Sequence, residues 1–380
     1  MRFNTRVLHD GQPADPLTGA VNAPIYLSST FRQAAPNRNK GYVYSRSGNP
    51  TRAVLEATLA KLEGGATGLA FSSGLGALTT LLAHYESGQR IVSVDDVYGG
   101  TWRLFEHHRR QFGLRVDYVD MTDLDRLRSA LAQPADLVYL ETPTNPLLKL
   151  VDIAGAARLA HRSGALVAVD NTFATPALQR PIERGADILL HSTTKYLGGH
   201  SDIIGGALVL KDAELGERFT WLQNAVGAVP SPFDCFLVLR GIHTLGVRMR
   251  AHCESARAVA EALDGQRHVR RVVYPGSRTH PQHSLARRQM DGFGGMVSVE
   301  LQGGRRAALR FLKALKVFTL AESLGGVESL VDHPASMTHA SVPRAEREAH
   351  GVTDGLVRLS CGIEDPADLA DDVRAALRGV

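Results

Sequence analysis

Short apolar runs recur through the first half of the chain, at 67–71, 91–94, 137–140, 165–169 and 188–190. Each is bounded by polar residues, as buried parallel strands are. Helical stretches separate several of them, at 77–84, 124–131 and 153–161. Strands alternating with helices predict an α/β fold with a mostly parallel central sheet. Ahead of the first run, 52–63 reads as an amphipathic helix with Val54, Leu55, Leu59 and Leu62 on one face, ended by Gly64 and Gly65. Residues 1–51 are rich in Pro, Asn, Gly and Ser and show no helical period, which predicts an extended arm. From about Gly246 the pattern changes. Helices are predicted at 255–263 and 306–315, and 296–301 and 356–361 alternate like half-exposed strands. Asp365-Pro366 opens a last helix. The expected organisation is an arm (1–52), a main domain (53–245) and a smaller α+β domain (246–380).

The polar residues after these runs carry the candidate chemistry. In open α/β sheets ligands bind past the carboxyl ends of the strands. Tyr98, Gly99 and Gly100 follow one run, Glu141 to Pro146 another, Asp170, Asn171 and Thr172 a third. After 188–190 come Ser192, Thr194 and Lys195, then a loop with Gly198, Gly199, Gly205 and Gly206. A buried lysine loses its proton readily and forms Schiff bases with aldehydes. Taken alone the stretch fits a solvated loop lysine equally well. A P-loop is set aside, because the glycines follow the lysine instead of preceding it. The turn Ser73-Gly74-Leu75-Gly76 leads into a helix and offers free N–H groups to a phosphate. It is not GxGxxG, since Thr79 holds the third glycine position. Tyr44 and Arg46 lie two apart in the arm and point the same way; they suit a phosphate, or an ordinary surface loop.

Composition narrows the classes. The 380 residues carry 43 basic and 39 acidic side chains, net +4, with no basic block dense enough for nucleic acid. No apolar run reaches membrane-spanning length, and 1–11 lacks the apolar core of a signal peptide. Three distant cysteines suggest a reducing compartment, so the expectation is cytoplasmic. Fifteen histidines form no recognisable metal motif, so no metal is expected.

One cofactor matches the set. It needs an aldehyde for Lys195, a phosphate for the Gly74 and Leu75 amides, Ser192 and Thr194, a basic ring nitrogen for Asp170 and a flat face for Tyr98. Pyridoxal 5′-phosphate has all four, and an acid at its ring nitrogen keeps the ring an electron sink. The rivals are a dinucleotide-dependent dehydrogenase, disfavoured by the missing fingerprint, and a non-catalytic binding protein.

The motifs resemble those of the Cys/Met-metabolism pyridoxal-phosphate enzymes, the trans-sulfuration family of cystathionine γ-lyase and γ-synthase. They lie at 44–51 (Tyr-Ser-Arg-Ser-Gly-Asn-Pro-Thr), 73–75, 96–101, 141–146, 169–172, 192–195, 321–330 (Ala-Glu-Ser-Leu-Gly-Gly-Val-Glu-Ser-Leu), 337–340 and 357–360. The resemblance implies the fold-type I, aspartate aminotransferase-like architecture. It also implies a homotetramer, a dimer of dimers with shared active sites.

By that resemblance Lys195 is the Schiff-base lysine and general base. Asp170 is the partner of the ring nitrogen, Tyr98 the stacking tyrosine, and Asn145 the contact to the ring hydroxyl. Gly74, Leu75, Thr172, Ser192 and Thr194 complete the cofactor site, and Tyr44 and Arg46 reach the neighbouring subunit's phosphate. Arg358 clamps the substrate carboxylate with Ser329 beside it; Arg103 and Glu328 face the distal end of a sulfur amino acid, and Asn145 also contacts substrate. Gly100 stands where methionine γ-lyases carry cysteine, and Val43 replaces a usual acid. The expected reaction is γ-elimination of cystathionine, with γ-synthase or β-lyase activity as alternatives.

Overall fold

A computed structural model describes residues 1–340 and 342–380. Seven strands form the first sheet: β1 (Thr67–Phe71), β2 (Arg90–Val94), β3 (Arg115–Val119), β4 (Leu137–Glu141), β5 (Leu166–Asp170), β6 (Ile188–His191) and β7 (Gly206–Leu210). Their order is β1-β7-β6-β5-β4-β2-β3. Only β7 runs antiparallel to its neighbours, so the sheet is mostly parallel, as the apolar runs predict. Strands β3 and β7 carry no run of their own in the sequence reading. β3 is an edge strand with polar, partly exposed positions, and β7 emerges from the glycine-rich loop.

A second, five-stranded sheet follows: β8 (Val269–Val273), β9 (Met296–Leu301), β10 (Thr319–Leu320), β11 (Leu330–Asp332) and β12 (Leu356–Ser360), ordered β10-β11-β12-β9-β8. The half-exposed reading of 296–301 and 356–361 fails. Every residue of β9 and β12 is buried. The alternation is real, but its polar positions face protein rather than water. Ser298 Oγ donates to the Pro146 carbonyl at 2.6 Å, and Arg358 reaches Asn145 at 2.8 Å. Helices Leu245–Leu263, Gly304–Ala314 and Pro366–Leu377 contribute to the apolar core on this side.

The arm also differs from expectation. Residues Phe3–His9 form a helix, α1, with Val7 buried. Phe3 and Val7 are a single i,i+4 pair, too short a signal to show as a period. Gly246 faces this helix, where a Cβ would sit 2.0 Å from Asn4 Oδ1 and make that side chain move. Helix α2 (Pro50–Glu63) buries Leu55, Leu59 and Leu62, while Val54 is half-buried. The Asn49 side chain caps it by accepting from Thr51 and Arg52 N–H, and left-handed Gly64 (φ 78°) ends it. Two more helices bear on the site: α3 (Gly74–Leu82) and α4 (Gly99–Phe112). Among the described residues no helix is long and apolar enough to cross a membrane.

Candidate active site

The carboxyl ends of the parallel strands open into a cavity of about 600 Å³, closed on its other side by β11, β12 and the segment before them. The sheet register brings the sequence candidates there. Asp170 ends β5, Glu141 ends β4 opposite it, and Ser192, Thr194 and Lys195 follow β6.

On the first-sheet wall, Ser73 caps α3 by accepting the Gly76 N–H at 2.9 Å. Helix α3 therefore starts at Gly74, three residues before the expected 77. The Gly74 and Leu75 N–H groups keep no protein acceptor among the described residues. The turn is tight: a Cβ on Gly74 would lie 3.1 Å from Ser192 Cβ, and one on Gly206 would lie 2.2 Å from the Ser73 carbonyl. Asp170 accepts the Thr172 N–H at 2.9 Å, and Thr172 Oγ1 accepts the Ser192 N–H at 2.9 Å. Thr194 Oγ1 accepts the Gly205 N–H at 3.0 Å, pinning the glycine loop. Burial raises the Asp170 carboxyl, while Thr172 and His191 oppose the rise. On the far face of the sheet His191 pairs with Glu63 at 2.5 Å, both fully buried.

Lys195 stands between the walls. Its Nζ donates to Ser323 Oγ at 2.7 Å. Burial, then the Arg358 guanidinium, push the lysine down to about 8. A neutral amine is thus accessible near neutral pH, which a Schiff-base and proton-transfer role requires. Ser323 sits at φ 110°, a rare backbone state for a residue with a side chain. The sequence reading chose Ser329 from the same motif and missed Ser323. The structure places Ser329 away from the cavity lining. Its hydroxyl donates to Glu364 and accepts from the Gly362 N–H, both at 2.8 Å.

On the second-sheet wall, Arg358 donates to Asn145 Oδ1 (2.8 Å), the Ser323 carbonyl (3.1 Å) and Asp332. Asp332 was also missed; only the β11–β12 register, Asp332 opposite Arg358, reveals it. Glu328 lines the cavity and accepts from Ser201 Oγ. Tyr98 lines it too, 39% exposed. Its ring lies over Gly100, where a Cβ would come within 2.3 Å of the ring.

Three further candidates, besides Ser329, lie outside this chain's own cavity. Arg103 is exposed on α4. Tyr44 is 47% exposed, and Arg46 lies over its ring at 5.7 Å while donating to Asn224 Oδ1 at 3.0 Å. Among the described residues no group of His, Cys, Asp or Glu is arranged to hold a metal.

The Cys/Met metabolism PLP-dependent enzyme family has a model that matches residues 4–378. The chain belongs to this family. It is 52% identical over 377 residues to cystathionine β-lyase of Coxiella burnetii, covering 99% of this chain and 97% of the relative. It is 50% identical over 377 residues to cystathionine γ-lyase of Dictyostelium discoideum, covering 99% and 97%. Its fold matches cystathionine γ-synthase of Xanthomonas oryzae pv. oryzae, solved with aminoacrylate and cysteine. That match has a TM-score of 0.97 and 49% identity, and covers 100% of this chain and 98% of that one.

The family's pyridoxal-phosphate dependence and its α/β fold are therefore those of this chain, and it is an enzyme of that family. The residues present fit the cofactor. A cradle of free amides, too narrow for an extra Cβ, lies beside two hydroxyls, a lysine of lowered pKa and the Asp170 carboxylate at the end of β5.

Proposed function

We propose that the enzyme cleaves cystathionine at Cγ and, with one water consumed, gives cysteine, 2-oxobutanoate and ammonia. The observation that carries this reading is one cavity lined by Lys195, by Arg358 and by Glu328. Arg358 suits the α-carboxylate, since a guanidinium binds a carboxylate through two parallel bonds. Glu328 suits the distal ammonium, a group that methionine lacks as a separate cation. When bound, pyridoxal phosphate supplies an aldehyde for the substrate amine and an electron-withdrawing ring. Asp170 would hold the proton of the ring nitrogen, Tyr98 would stack on the ring, and the Gly74 and Leu75 amides with Ser192 and Thr194 would take the phosphate. Lys195, neutral near its pKa of about 8, removes the α-proton and carries protons between Cα, Cβ and the departing sulfur.

A γ-synthase reading uses the same proton transfers and is favoured by the likeness to the Xanthomonas oryzae enzyme. The test is kcat/KM for cystathionine alone against that for an activated homoserine ester with cysteine. Faster formation than cleavage of cystathionine overturns the lyase reading; pyruvate as main product marks β-elimination.

We further propose that two chains share each site within a homotetramer, in the cytoplasm. Tyr44 and Arg46 sit on an arm whose Leu17, Val21 and Leu27 are exposed, as an unpartnered apolar surface is. Mixing Arg46→Ala and Lys195→Ala subunits restores activity if Arg46 serves the neighbour's phosphate. Verified hybrids without activity place Arg46 in its own chain's site.

A further inference from the structure

The parallel register sets Glu141 on β4 opposite Asp170 on β5, so their side chains leave the same face of the sheet. Both line the cavity. Glu141 is 4% exposed, and its Oε2 accepts the Tyr98 backbone N–H at 3.0 Å. Other carboxylates nearby have basic partners: Glu63 has His191, Asp95 has Lys149 and Asp332 has Arg358. Asp96, like Glu141, has none among the described residues. What surrounds it is acidic or neutral: Asp170 on β5, Asp96 after β2, and Tyr139 two residues back on its own strand. Asp96 already accepts Thr144 Oγ1 at 2.5 Å and the Leu147 N–H at 3.3 Å. The cations Lys195 and Arg358 line the same cavity, but Lys195 is bonded to Ser323, and Arg358 to Asp332, Asn145 and the Ser323 carbonyl.

Two adjacent carboxylates, one buried and one half-buried, do not both ionise without a penalty, so the proton goes to the one with less support. Asp170 has Thr172 and the His191 side of the sheet. Burial, then Asp170, push the Glu141 carboxyl well above the ordinary range, against the bond from Tyr98.

We propose that Glu141 is a positioning residue that works as a neutral carboxylic acid: it holds the Tyr98 amide and leaves Asp170 the charged member of the pair facing the cofactor's ring nitrogen. The inference rests on the cofactor and on the reading of Asp170, and is independent of which sulfur amino acid is processed.

Infrared difference spectra of the cofactor-free protein at neutral pH provide the test. Glu141→Gln, of the same shape, removes one carboxylic-acid carbonyl band. It leaves the pyridoxal-phosphate dissociation constant within about twofold and the visible spectrum of the bound cofactor unchanged with pH. Glu141→Ala removes the same band, frees the Tyr98 amide and weakens cofactor binding about fivefold, the loss of one buried hydrogen bond. Either variant that folds reads the band, and in the native protein the band persists at a pH above the ordinary carboxylate range. Loss of a carboxylate band instead, or of no band, overturns the proposal. So does a Glu141→Gln protein that binds cofactor tenfold more weakly with a shifted spectrum. Failure of the native protein to bind pyridoxal phosphate refutes the cofactor assignment, while the cofactor-free band still decides the protonation state.

Discussion

The two walls of the cavity differ in how complete they are without a ligand. On the first-sheet wall, the Gly74 and Leu75 N–H groups at the start of α3 have no protein acceptor among the described residues. On the second-sheet wall, Arg358 is already bonded to Asn145, Asp332 and the Ser323 carbonyl. The first wall gains bonds when a phosphate arrives, at little cost in rearrangement. The second would have to exchange partners: on the proposed function a substrate carboxylate competes with Asn145 and Asp332 for one guanidinium. On the proposed assignment of the two walls, the cofactor should be held more tightly than the substrate.

Lys195 joins the walls, and removing it has the largest effect. Lys195→Ala should lower turnover by at least about 10³-fold, the upper part of the range for a lost acid–base group. Borohydride should no longer fix the cofactor to the protein. Turnover within tenfold of native, in protein shown to hold cofactor, would mean that another amine does this work.

The same lysine gives a pH test of the first wall. In cofactor-free protein its amine should be acylated with a midpoint near pH 8 instead of the ordinary 10.5. The sign follows from burial, which favours the neutral form. Below the midpoint reactivity falls about tenfold per pH unit as the proton is taken up. A midpoint near 10 contradicts a desolvated, neutral lysine.

Arg358 tests the second wall. Arg358→Ala leaves Asp332 buried without its cation, which should cost about 3 kcal/mol in urea unfolding. Adding Asp332→Asn should recover most of that stability while kcat/KM stays low. If the double variant regains activity as well, the guanidinium serves the fold and not the substrate.

The walls were also unequally legible in the sequence. The first was readable because its residues follow apolar runs: strand ends are marked locally by hydrophobicity, and Asp170, Ser192 and Lys195 sit directly after them. The second depends on contacts across long sequence distances. Asp332 meets Arg358 only through the β11–β12 register, and Ser323 meets Lys195 through a loop at φ 110°. Nothing in local pattern separates Ser323 from Ser329, and of the two only Ser323 lines the cavity. The burial of β9 and β12 was hidden for the same reason. Alternation reports that two faces differ, not what covers the polar one.

The smallest expected effect concerns the distal end of the substrate. Ser201 sits at φ 55° in the glycine loop, and its hydroxyl donates to Glu328. That bond fixes the carboxylate proposed to take the distal ammonium of cystathionine. Ser201→Gly is the clean substitution, because glycine adopts positive φ without strain, whereas alanine would add it. Losing one hydrogen bond to a charged group costs about 1.5 kcal/mol at most when the partner can turn to water. The expected result is a rise in KM for cystathionine of about fivefold with kcat nearly unchanged, since the bond acts on binding and not on proton transfer. A substrate with no distal amine should show no change in KM. An equal rise for both substrates would make Ser201 a support of the glycine loop, and Glu328 would lose its claim to the distal ammonium. A drop in kcat with KM unchanged would move the effect to the first wall, through Thr194 and the Gly205 amide that anchor the same loop.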